Sequence, residues 1–222
     1  MIHISHRSHP HQTVVHPSAG WVWVVDLGCD AVYTLAPDTA RPGAWWHLGS
    51  SWQGVRRWGT TEVRPGCGPR HLALHPSRHL AALLCEQTSL VLLYTVDTAT
   101  GALQLAAEAP LSSEAADYGA EIAWSEAGDR LYASSRGTGV VVVWALEETA
   151  GTSLGLARLQ EVSQWGSWPR HFSLRPEAGL LVTSDQRGDS LQLLHMDPAS
   201  GLLVPGKIVP TEHSPAFVTF LN

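Results

Sequence analysis

Apolar residues fall in short runs along this chain, broken by turns rich in Gly, Pro and Ser, and the order of runs and turns repeats. Each unit opens with a short strand, predicted at Gln12–Val15, His71–Leu74, Glu121–Trp124 and His171–Leu174. A turn follows at His16–Gly20, His75–Arg78, Ser125–Gly128 and Arg175–Gly179, where Pro, Ser and Gly supply the backbone angles that reverse the chain. A second apolar strand is predicted at Trp21–Val25, Leu80–Leu84, Leu131–Ala133 and Leu180–Thr183. A third is predicted at Ala31–Leu35, Leu90–Val96, Val140–Leu146 and Leu191–Met196. Two copies add the turn Asp-x-x-x-Gly, at Asp97–Gly101 and Asp197–Gly201, and a weaker fourth strand. Near-continuous apolar strands suit sheets that are covered on both faces, and no segment keeps a helical period over three turns.

The tripeptide Pro-Arg-His marks the period, at Pro69–His71 and again at Pro169–His171. Units start at Pro10, Pro69, Gly119 and Pro169, in steps of 59, 50 and 50 residues, and a fifth first strand is expected at Ala216–Leu221. Units of roughly 40–50 residues made of short strands are blades of a β-propeller. The fold class is therefore all-β: a propeller of four blades plus one closing strand, over residues 9–222, behind a disordered stretch at 1–8. Residues 41–59, rich in Trp, Gly and Arg, lengthen the first unit. They are expected to form a long outer hairpin rather than a lid over the disc, since connections vary most in length.

The 222 residues allow one or two ordinary domains. A net charge of −6 without any basic run argues against a nucleic-acid or anionic-membrane partner. No apolar run is long enough to span a bilayer, and the N-terminus lacks the apolar core of a signal peptide. Three cysteines, Cys29, Cys67 and Cys85, give an odd count without a CxxC pair. Reduced thiols and a cytoplasmic location are expected.

In a propeller the first strand of each blade lines the central channel, so residues at its start meet near the axis. Aligned starts give a column of His11, Arg70, Ala120, Arg170 and Ala216, beside one of Gln12, His71, Glu121, His171 and Phe217. The loop after the second strand returns to the same face. It adds the columns Asp26, Cys85, Ser135, Asp185 and Leu27, Glu86, Arg136, Gln186. Convergent His, Arg, Glu and Asp in one concave place are the mark of a binding or catalytic site. Singly, each such residue could instead cap a turn or a ladder.

Several segments together resemble the seven-bladed propeller lactonases, the family of bacterial-type 6-phosphogluconolactonase and fungal carboxy-muconate lactonising enzyme. They are Ser8-His9-Pro10-His11, Val25-Asp26-Leu27-Gly28, Gly68-Pro69-Arg70-His71, Cys85-Glu86, Ala120-Glu121-Ile122, Ser135-Arg136-Gly137, Trp168-Pro169-Arg170-His171-Phe172 and Asp185-Gln186. Cys85 and Ser135 stand where the family usually has Asn. The resemblance implies that His11, Arg70, Glu86 and Arg136 belong to a lactone site. Glu86 would be the general base, with His11 next, and Arg70 and Arg136 would hold the anionic substrate and the developing oxyanion. Arg170, His171, His71, Glu121 and Asp26 would contact substrate. A Glu86–Arg70 ion pair that only ties two blades together is the competing reading.

The implied partner is a small anionic lactone, with neither a cofactor nor a metal. Ring closure of the carboxy-muconate type and an inactive, shortened propeller serving as an interaction module are the alternatives. Seven blades need about 340 residues. The chain is therefore expected to be an N-terminally shortened form whose open blade edges favour self-association. Gly151–Gly155 fits GxSxG but falls in an outer connection, where a nucleophile elbow would need a strand-to-helix turn. His3, His6, His9 and His11 lack the carboxylate or Cys that would complete a metal site.

Overall fold

The computed structural model describes residues 8–37, 55–112, 117–149, 153–163 and 166–221. These form four antiparallel sheets, each a meander whose strands lie in sequence order. The first holds β1 (Pro10–Val15), β2 (Val22–Asp26), β3 (Ala31–Pro37) and β4 (Val55–Glu62). The second holds β5 (Pro69–Leu74), β6 (Leu80–Cys85), β7 (Leu90–Val96) and β8 (Leu103–Pro110). The third holds β9 (Gly119–Trp124), β10 (Arg130–Ser135), β11 (Val140–Thr149) and β12 (Ser153–Ser163). The fourth holds β13 (Pro169–Arg175), β14 (Leu180–Asp185), β15 (Ser190–Met196) and β16 (Leu203–Pro210), with one 3₁₀ turn at Pro176–Ala178. The four unit starts read from the sequence are the first residues of β1, β5, β9 and β13.

Innermost strands touch in series, β1 against β5, β5 against β9 and β9 against β13. The sheets therefore fan out as blades. They make an open arc rather than a closed ring: Pro10, His11, Thr13 and Val15 of β1 are exposed, whereas β9 is buried along nearly its whole length.

Side-chain alternation explains why β6 lacks polar residues. Successive residues of a strand point to opposite faces. Ala81, Leu83 and Cys85 of β6 thus pack on Trp23, Val25 and Val32 of the first blade. Ala82 and Leu84 pack on Ile122, Leu131 and Trp144 of the third. A third cluster, with Tyr132, Val143, Phe172, Leu181 and Leu194, joins the third and fourth blades. Each fully buried Leu in such a seam contributes about 1.5–3 kcal/mol.

The Asp-x-x-x-Gly turns act as latches. Trp21 Nε1 donates to the Thr98 carbonyl (2.8 Å), and Trp23 Nε1 and Thr34 Oγ1 donate to that of Gly101 (2.9 and 3.2 Å). Gly101 has φ +69°, and a Cβ there would lie 2.7 Å from Thr34 Cγ2 and 2.8 Å from the Trp21 ring, so only glycine fits. One hundred residues on, Tyr132 Oη donates to the Gly201 carbonyl (2.9 Å) and Arg130 Nε to that of Ser200 (2.8 Å).

Three expectations change. Ala216–Leu221 is not a strand, because no described strand lies beside it to take up its backbone groups; Phe217 stacks on His171 instead (ring centroids 4.0 Å). Fourth strands occur in all four blades. β12, eleven residues long, escaped the sequence reading because its half-exposed residues make no apolar run. Cys67 and Cys85 are disulfide-bonded (Cα–Cα 5.2 Å), which overturns the expectation of three reduced thiols; the β5–β6 hairpin brings them together.

The Trp-rich insertion leaves from the β3–β4 hairpin, where Pro37 pairs with Val55. That end of the sheet is opposite Asp26 and Ala31, which are paired at the mouth. Its interior, with Trp45, Trp46 and Trp52, lies outside the described residues, as do residues 1–7 with His3 and His6. Gly151 and Thr152 of the GxSxG pattern also lie outside, while Ser153 opens β12.

Candidate functional site

Each inner strand that begins with Pro opens on a β-bulge. In β1 Pro10 pairs with Asp26 and Gln12 with Val25, so His11 is the extra residue. In β5 Arg70 is extra between the pairs Pro69–Cys85 and His71–Leu84. In β13 Arg170 is extra between Pro169–Asp185 and His171–Ser184. A bulge bends its strand and re-aims the additional side chain. The column His11, Arg70, Arg170 is thereby turned toward the mouth at the axis end of the sheets.

Glu86 is the centre of the mouth. Its Oε2 lies 3.1 Å from Arg70 Nε and 2.9 Å from Arg136 Nη2, so one carboxylate of the second blade bridges arginines of the second and third. The backbone fixes it: Glu86 N donates to the Gly68 carbonyl (2.7 Å) and Gly119 N to the Glu86 carbonyl (3.1 Å). Both arginines are nearly buried, while the Glu86 side chain keeps 21% of its surface open. Arg70 also donates through Nη1 to the Ala120 carbonyl, and Arg136 through Nη2 to that of Gly119 (3.2 Å). Burial, and then the charge of Arg136, lower Arg70 to about 10 against the opposing pull of Glu121 and Glu86. Arg70 therefore stays cationic at neutral pH.

Beside this centre runs a belt. His71 Nδ1 and His171 Nε2 each lie 2.9 Å from a different oxygen of Glu121, joining the second, third and fourth blades through one carboxylate. Ile122 N donates to Glu121 Oε1 as well (3.0 Å). Burial works to raise the Glu121 carboxyl. The hydrogen bonds from His171 and His71, and their charges, outweigh it and hold the group at about 2. Gln12 extends the belt to the first blade by accepting from Leu72 N (2.6 Å).

His11 leans edge-on against His71 (ring centroids 4.9 Å). Although part of its surface is open to solvent, burial of the rest, then the charges of Arg70 and His71, lower it to about 4 despite the pull of Glu86. It stands at neutral pH as an uncharged imidazole able to accept a proton. Arg170 Nη1 donates to Gln186 Oε1 (3.4 Å) at the fourth-blade side.

Asp26 does not join the cluster. It is fully buried and accepts from Ser8 Oγ, His9 N (2.9 Å), Gly28 N (3.0 Å) and Cys29 N (3.0 Å). Its carboxylate ties the segment before β1 to the turn after β2, which corrects the expectation of substrate contact. Its column-mates are also fully buried: Cys85 in the disulfide, and Asp185 with its carboxyl pushed up to about 6 by burial against a hydrogen bond from Thr183.

One layer of the mouth escaped the sequence reading. Tyr118 and Trp168 precede β9 and β13, with ring centroids 5.7 Å apart, and the Arg136 guanidinium lies 5.6 and 5.5 Å from them. Extending the register columns by one residue would have found them. A cleft of about 440 Å³ sits at the other end of the blades, lined by Ser125, Tyr132, Pro176 and Met196. It contains none of the mouth residues. Among the described residues no group of three or more His, Cys, Asp or Glu could hold a metal ion. No described helix is long and apolar enough to cross a membrane.

Comparison with known proteins places this geometry. Residues 4–220 match the family model described as Lactonase, 7-bladed beta-propeller. The chain is 28% identical to the 6-phosphogluconolactonase of Bacillus subtilis, over 97% of this chain and 58% of that protein. It is 26% identical to the 6-phosphogluconolactonase of Pectobacterium carotovorum, over 95% of this chain and 60% of that one. Among solved structures, a protein from Lactobacillus plantarum matches with a TM-score of 0.78 at 30% identity, over 93% of this chain and 57% of its own. The periplasmic gluconolactonase of Pseudomonas aeruginosa matches with a TM-score of 0.82 at 22% identity, over 97% and 57%. The chain thus spans less than two thirds of the length of these relatives. With its bulged inner strands, its repeated blades and a family match running from residue 4 to residue 220, the chain belongs to the seven-bladed β-propeller lactonase family.

Proposed function

We propose that this chain hydrolyses a small anionic sugar lactone, opening 6-phosphogluconolactone to 6-phosphogluconate. The observation that carries the reading is a single one: Glu86 Oε2 is held between Arg70 and Arg136 at 3.1 and 2.9 Å, while the Glu86 side chain keeps 21% of its surface open to the mouth. Glu86 takes a proton from water as the water oxygen bonds to the lactone carbonyl carbon. The carbonyl oxygen becomes an oxyanion beside the two arginines. The bond from that carbon to the ring oxygen then breaks, and the ring oxygen leaves as a hydroxyl with the proton returned from Glu86. A positioned base contributes about 10²–10⁴ in rate. His71, Glu121 and His171 serve as a wall of the mouth, and Arg170 as an outer contact. Ring closure would use the same groups in reverse, and nothing in the mouth favours it.

The test is hydrolysis of 6-phosphogluconolactone by the folded protein. Turnover well above spontaneous opening is expected. A rate equal to the spontaneous one would overturn the reading and favour the interaction module. The pH profile offers a second check. Because His11 is lowered to about 4, it remains neutral across the mildly acidic range. If His11 takes part as a base, His11→Asn changes the acid limb of the rate profile; an unchanged limb would remove it from the reaction.

Self-association through the exposed β1 edge belongs to the same proposal, supported by Val15 at 60% exposure. So does a cytoplasmic location. The Cys67–Cys85 bond is the feature that would favour an oxidising compartment instead.

A further inference from the structure

We propose that Arg187, stacked on Trp168, is the subsite that selects a phosphorylated lactone, with Tyr118 as the face against which the sugar ring lies. The proposal rests on the lactonase reading and assigns the substrate's phosphate to residues outside the centre around Glu86.

The repeat register makes the case. Positions 68, 118 and 168 are equivalent, each directly before its inner strand, and positions 87, 137 and 187 are equivalent in the loop after the second strand. The second blade has Gly68 and Gln87, the third Tyr118 and Gly137, the fourth Trp168 and Arg187. Gly68 takes φ +60°, and a Cβ there would lie 2.8 Å from Gln87 Cγ. Trp168 adopts the same left-handed backbone, φ +69°, with a bulky side chain. Such a conformation costs on the order of 1–3 kcal/mol and persists where the surrounding structure and the function demand it. The fourth blade accepts that cost and places an indole at the rim, with the Arg187 guanidinium carbon 3.4 Å from the ring centroid.

Arg187 differs from the other arginines of the mouth. Arg70 and Arg136 are paired with Glu86, and Arg170 donates to Gln186. Arg187 is exposed, and among the described residues no carboxylate pairs with its guanidinium. The nearby acids are turned elsewhere: Asp185 is buried with Thr183, Asp189 accepts from Ser214 N (2.6 Å), and Asp117 accepts from Thr138 N (3.0 Å). A guanidinium laid flat on an aromatic face is pre-oriented while its N–H edge stays available, the geometry that suits bidentate contact with a phosphate dianion. The shelf is continuous with the centre, because Arg136 touches Glu86 at 2.9 Å and lies 5.5 Å from the Trp168 ring. A ligand opened at Glu86 can therefore lay its charged end on Arg187.

The experiment compares 6-phosphogluconolactone with unphosphorylated gluconolactone in the wild type, Arg187→Met and Trp168→Gly. The glycine variant takes the residue of the equivalent second-blade position, so the left-handed backbone is kept without strain. The ratio of kcat/KM, phosphorylated over unphosphorylated, should fall about tenfold in each variant, mainly through KM. An unchanged ratio, or a parallel loss on both lactones, would overturn the subsite. Calorimetric titration of the same proteins with 6-phosphogluconate, gluconate and inorganic phosphate separates this result from the lactonase reading. If the wild type opens neither lactone, that reading fails alone. The subsite then stands if 6-phosphogluconate binds more tightly than gluconate and Arg187→Met removes the difference, and falls if the two acids bind alike. Inorganic phosphate binding as tightly as 6-phosphogluconate would reduce the site to a free-phosphate site and overturn the role of Tyr118.

Discussion

Glu86→Gln is expected to open 6-phosphogluconolactone about 10²–10⁴ times more slowly and to unfold at a lower temperature than the wild type. Gln matches Glu in size and keeps an oxygen that can accept from Arg70 and Arg136, but it leaves the charges of two nearly buried guanidiniums uncompensated. It also lacks the basicity to take a proton from water. Loss of rate well below the midpoint, where the variant is fully folded, is the result that assigns the base. The competing ion-pair reading forecasts a lowered midpoint with the rate of the folded protein retained. Measuring kcat and the melting curve on the same preparation separates the two.

The second large effect concerns the Glu121 belt and appears in stability against acid. Glu121 sits at about 2 in the fold against an ordinary value of 4.5. The folded state therefore holds on to the carboxylate while the unfolded chain takes up a proton first. The stabilisation is fully present above pH 4.5 and is lost as pH falls from there through 2. It amounts to on the order of 3 kcal/mol. Glu121→Gln removes it, so the variant should unfold at lower denaturant concentration than the wild type at pH 7, and the gap should close toward pH 2. A gap that stays constant across this range would mean that Glu121 matters through packing, not through charge held by His71 and His171.

The architecture was legible because each blade repeats the same periodicity. The starts at Pro10, Pro69, Gly119 and Pro169 were visible as punctuation, and strands such as Leu90–Val96 as apolar runs. The meeting of Arg70, Glu86 and Arg136 followed from register alone, since equivalent residues of successive blades must converge on the axis. Other features depend on who sits next to whom. Cys67 and Cys85 are separated by a whole hairpin, and only the β5–β6 pairing brings them within bonding distance. Asp26 shared a column with site residues, yet its neighbours Gly28 and Cys29 present backbone N–H groups that claim its carboxylate. The bulges at His11, Arg70 and Arg170 were hidden because an extra residue in a strand leaves no mark in composition. The stacked pair Trp168 and Arg187 was missed because the columns were read one position short.

The two Gly-ended latches have a further consequence. One fastens the second blade to the first through Gly101, the other the fourth to the third through Gly201. The joint between the second and third blades is closed by other means: Trp124 Nε1 donates to the Ala73 carbonyl (3.2 Å), Arg158 Nη2 to that of Leu111 (3.1 Å), and His75 Nε2 lies 2.9 Å from that of Gly128. Glu86 with Arg70, on the second blade, meets Arg136 on the third, so the proposed centre straddles a joint that is held without a latch.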